Sequence, residues 1–122
     1  MEKLRYEDLM DLVDPLWIDL FDKLTAMLER RRPVEALHAR PPLSMLKEDP
    51  VLRAQWIGPD ATALEARKAA LAPFDAEHEG HHTRHLKALD AVYAAHGWTA
   101  EEVRVEIERR CEESLRKKGL LS

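Results

Sequence analysis

From Leu16 to Leu28 the apolar residues Leu16, Trp17, Leu20, Phe21, Leu24, Met27 and Leu28 recur three and four positions apart. That interval is the period of a helix with one wide apolar stripe, which needs a surface to pack against. Asp14 followed by Pro15 reads as an N-cap and a first helical residue, so a helix is expected from there to about Arg31, with a short one over 6–13 before it. Between Pro33 and Gly58 the pattern breaks. Four prolines crowd that stretch, which reads as an irregular segment with short turns at 34–39 and at 50–56, the second closed by Gly58. Asp60 opens ATALEARKAALA, a moderate helix expected to stop before Pro73. A long helix then runs from about Phe74 to His96, with Gly97 as its stop.

Thr99 lies three residues before Glu102, the spacing of a capping box, and so starts one last helix. The stripe on this helix is narrow: Val103, Ile107, Cys111 and Leu115. Oppositely charged pairs such as Glu106–Arg110 and Glu112–Arg116 line its polar surface one turn apart. Such a helix lies on the outside or faces a partner, with Cys111 expected in the core. No segment alternates with period two, so the fold class is all-α: a small helical bundle of four to five helices with a proline-rich middle, forming one domain over residues 1–122.

Composition narrows the function. The chain has 122 residues, 45% hydrophobic and 34% charged, enough for one modest core. Its net charge is −4 with both signs interspersed, and Arg30-Arg31-Arg32 is too short a basic run for a phosphate-binding surface, so nucleic acid is not an expected partner. No apolar run approaches the ~18 residues of a membrane span, and the start MEKLRYEDLMDLVD has no signal-peptide core. A lone cysteine forms no internal disulfide and suits a reducing compartment, which makes the cytoplasm the expected location. The serines stand in no nucleophile motif, and no catalytic constellation is visible. Trp17, Trp56 and Trp98 read as core or interface anchors.

Five of the six histidines fall on the long helix. At ~100° per residue, His78, His81, His82 and His85 share about a 100° arc, continued by Leu89, Val92, Tyr93 and His96. One reading makes them metal ligands. Imidazoles four apart can chelate one ion, and Glu79 adds a Glu-x-x-His pair with His82; cobalt, iron or zinc accepts such donors. A second such pair, Glu35 with His38, sits between Pro33 and Pro41, where only two helical turns fit. The other reading makes the histidines packing groups at a helix or subunit contact.

The segment HHTRHLKALDAVYAAHGWTAEE, residues 81–102, resembles the helical N-terminal region of the nitrile hydratase β subunit and the small accessory (activator) proteins related to it. In that pattern an aromatic cluster precedes an Ala-Leu-acid helix, a Gly lies twelve residues on, and a Thr and paired Glu follow. Here His81, His82 and His85 stand at the aromatic positions. Ala88-Leu89-Asp90 follow, Gly97 lies twelve after His85, and Thr99, Glu101 and Glu102 come next. The resemblance implies a helical protein that wraps a catalytic α subunit, whose cysteine-rich motif holds cobalt or iron. With one cysteine this chain cannot supply that motif. The resemblance then implies a non-catalytic small subunit or an accessory protein that aids metal delivery. The family's aromatics pack at the subunit contact, which implies contact roles here; the expected contact set is Trp17, Phe21, His85, Tyr93 and Trp98. The expected partner is a protein or a second copy. A stand-alone metal-binding bundle and an oligomeric structural or regulatory module are the alternatives.

Overall fold

A computed structural model describes residues 2–120. It is all-α, with helices α1 (Tyr6–Leu37), α2 (Leu43–Glu48), α3 (Pro50–Trp56), α4 (Thr62–Ala95) and α5 (Ala100–Lys117). Among the described residues there is no strand. The chain divides into two compact units. Unit 1 comprises Met1–Leu20 with Thr83–Ser122, and unit 2 comprises Phe21–His82.

The helix boundaries correct the sequence reading at the three prolines that lie inside the long helices. α1 runs without interruption through Pro15 and Pro33, and α4 runs through Pro73. An internal proline removes one backbone hydrogen bond and crowds the carbonyl four residues back, which costs ~3 kcal/mol. At Pro15 the burial pattern explains why the helix survives. Leu9 and Val13 before it and Leu16 and Leu20 after it lie four, three and four residues apart, and all are buried or half-buried. Burying one such side chain contributes ~1.5–3 kcal/mol, so the stripe as a whole outweighs the proline. At Pro73, Leu71 is buried and Phe74 and Glu77 are half-buried on the same face.

In unit 1 the core is one cluster: Leu9 and Val13 from α1, Leu89 and Tyr93 from α4, and Val103 from α5. Leu4, Met10, Leu16, Val92 and Trp98 pack around it. The link from α4 to α5 is tight. Gly97 takes a φ of +81°, and a Cβ there would lie 3.0 Å from the Cα of Lys3, so only glycine lets the N-terminal segment pass this close. The Leu4 N–H donates to the His96 carbonyl at 3.0 Å, and the Trp98 indole N–H donates to the Leu4 carbonyl at 2.7 Å. Thr99 then caps α5 as expected: its hydroxyl accepts from the Glu102 N–H at 3.1 Å, and the Glu102 carboxylate accepts from the Thr99 N–H at 3.1 Å.

Unit 2 buries Met27, Leu46, Trp56, Ala61 and Leu71. Its expected irregular segment holds two short helices instead, one of them, α2, without a side-chain cap. α3 follows the sequence logic: Asp49 accepts from the N–H groups of Val51 and Leu52 at 3.0 and 3.1 Å, and Pro50 takes the first turn. Arginines also join the helices of this unit. Arg30 grips Glu77 through one guanidinium nitrogen at 2.8 and 2.7 Å, Arg31 reaches Asp75 at 3.0 Å and Glu35 at 2.6 Å, and Arg67 donates to the His38 carbonyl at 3.2 Å. Two arginines of the short basic run are thus engaged with carboxylates.

Candidate docking surface

Beside the core of unit 1 lies an open apolar groove of about 510 Å³. α1 contributes Trp17; α4 contributes Leu86, Leu89, Asp90 and Tyr93; α5 contributes Ala100, Val103, Arg104, Ile107 and Glu108. Its floor is the buried trio Leu89, Tyr93 and Val103, and its rim is apolar but half open to solvent: Trp17 is 51% exposed, Leu86 45% and Ile107 43%. Helical period produces this shape. Leu86, Leu89 and Tyr93 lie three and four apart on α4, and Val103 and Ile107 four apart on α5, so each helix turns the edge of its buried stripe outward.

Carboxylates outnumber cations at the groove. Arg104 is held between Glu101 and Glu108, the latter at 2.6 Å, and these carboxylates raise its pKa above the ordinary value. Burial first, then the nearby Asp90, raises the pKa of the Tyr93 hydroxyl, which keeps it neutral. With Asp90, Glu101 and Glu108 against the single Arg104, the groove offers apolar surface bordered by an acidic edge. It suits the apolar face of another helix better than a charged substrate.

The structure sorts the residues singled out from sequence. His85 is buried, 7% exposed, and its ring meets Trp17 edge-on with centroids 4.3 Å apart, so it supports the groove from behind. Tyr93 lies in the groove floor. Trp98 is half-buried and faces inward, with Lys3 4.0 Å above its ring and Tyr6 6.1 Å away. Phe21 belongs to unit 2 and is 70% exposed. Of the other proposed metal ligands, His78, Glu79 and His82 are exposed and His81 is half-buried. Among the described residues, no group of three His, Cys, Asp or Glu side chains is placed to hold a metal ion. Cys111 is exposed, against its expected place in the core, because the α5 stripe leaves the buried side after Val103. The rim residue Leu86 was missed; its three-residue step to Leu89 was the available signal.

No helix among the described residues is long and apolar enough to cross a membrane. Comparison with protein-family models, with characterised proteins and with solved structures returned no match.

Proposed function

We propose that this chain is a non-catalytic docking protein of the cytoplasm: an accessory protein or small subunit that binds a larger metalloenzyme of the nitrile hydratase kind. The observation that carries the reading is the apolar groove of unit 1, whose half-exposed rim of Trp17, Leu86 and Ile107 surrounds a buried floor. Large aromatic and aliphatic side chains held at the rim of a concave apolar surface are what protein interfaces use as anchors. The resemblance over residues 81–102 supplies the partner class. It spans the α4 wall of the groove and the capped start of α5. The metal chemistry would belong to the partner, since one cysteine cannot build a cysteine-rich centre.

Mixing the chain with a purified cobalt-type nitrile hydratase α subunit and measuring mass by light scattering tests this directly. The expected result is a complex heavier than either component, abolished by Leu86→Lys in a chain whose helicity is unchanged. No gain in mass with the wild-type chain would overturn the reading.

A further inference from the structure

We propose that a second copy of this chain occupies the groove, with the two α5 helices packed antiparallel about a two-fold axis at Cys111. The inference rests on the docking reading of the groove and assigns the second copy to it when the larger partner is absent.

Charge sets the orientation. Ala100–Glu108 carries four carboxylates and one arginine, net −3, whereas Arg109–Lys118 carries five cations and two carboxylates, net +3. This gradient complements the dipole of α5 itself. It also makes the helix self-complementary in one direction only: antiparallel pairing sets the acidic half of each copy beside the basic half of the other, and parallel pairing sets like beside like. The apolar stripe agrees with that register. Ile107 and Leu115 lie four residues to either side of Cys111, so pairing centred on Cys111 brings Ile107 of each copy level with Leu115 of the other. Ile107 is 43% exposed, Leu115 37%, and Cys111 lies open between them. Beyond the turn at Gly119, the 68% exposed Leu120 of one copy falls level with the start of the other copy's α5, where Ala100 lines the groove. Arg104 comes level with Lys118 of the second copy, but its charge is already balanced by Glu101 and Glu108. An isologous contact of this kind closes at two subunits and gives both grooves the same occupant.

Helices in contact run about 8–10 Å apart, which places the two Cys111 thiols within reach of a short bis-maleimide. The test is sedimentation equilibrium of the chain, with bis-maleimide crosslinking read on a denaturing gel. The expected result is twice the 14.1 kDa chain mass and a crosslinked dimer. Leu115→Lys, at a site already open to solvent, should restore the monomer mass and abolish the crosslink while the circular dichroism stays helical. A wild-type monomer at all concentrations would overturn the proposal, as would a dimer that does not crosslink at Cys111 or a Leu115→Lys chain that still pairs. The two readings fail separately. A monomer that gains mass with the α subunit removes only the self-pairing, and a dimer that ignores the α subunit removes only the metalloenzyme partner.

Discussion

Units 1 and 2 draw on the same two long helices, yet they distribute their apolar surface differently. Unit 1 has a contiguous apolar core that joins α1, α4 and α5, and it has more apolar surface than that core consumes. Unit 2 joins α1 to α4 with arginine–carboxylate pairs, Arg30 on Glu77 and Arg31 on Asp75, and unit 1 likewise joins α5 to α1 through Arg110 on Glu7. Unit 2 too exposes apolar residues, among them Leu37, Leu43 and Val51, but its hollow at Met45, Pro50 and Leu52 is walled by Glu48 and Asp49 as well. The difference shows where a partner gains most. A rim of large apolar side chains over a buried floor contributes by desolvation, whereas solvated ion pairs add ~0–1 kcal/mol each.

The largest effect should come from the core of unit 1. Leu9 has no exposed surface, and Leu9→Ala should cost ~2–5 kcal/mol in urea unfolding. Arg30→Ala in unit 2 should cost under ~1 kcal/mol, because Arg30 is 57% exposed. Equal losses would break the contrast between the units. Next comes Pro73→Ala, which restores a backbone donor inside α4 and should raise stability by up to ~3 kcal/mol. An unchanged midpoint would mean that local geometry already absorbs the proline. Thr99→Ala removes the hydroxyl half of the capping box and should cost ~1 kcal/mol, with helix loss confined to the start of α5 in hydrogen exchange. The smallest effect is acid sensitivity. Arg109 first, then Arg110, hold the Glu106 carboxyl at about 2, below its ordinary 4.5. A depressed folded-state pKa contributes stability that is complete above about pH 4.5 and is lost as pH falls toward 2. Glu106→Gln should therefore flatten the pH dependence of the melting temperature in that window by lowering the value near neutrality, and leave it unaltered near pH 2, where the wild-type carboxyl is itself becoming neutral.

Elements with a strong local cause were legible in the sequence. Asp49-Pro50 opens α3, Gly97 ends the α4 turn with positive φ, and Thr99 with Glu102 caps α5; each is set by neighbours within a few residues. Pro15, Pro33 and Pro73 misled because their cost is local while the burial that offsets it is tertiary. The three-and-four period from Leu9 through Leu20 was the visible counter-signal. Of the aromatics singled out from the sequence, Trp17 and Tyr93 line the groove, whereas Trp98 carries its own N-terminal segment. The histidine arc was drawn correctly as an angle on one helix. An angle does not fix depth: His85 is buried and His82 is exposed three residues away.

The central claim is that the groove of unit 1 binds protein. Sedimentation equilibrium of the wild-type chain beside Ile107→Lys, each alone and mixed with the α subunit, tests it most directly. The account predicts assembly of the wild type and a monomer of unchanged helicity for Ile107→Lys under both conditions. The same mass for both chains, alone and mixed, would contradict it.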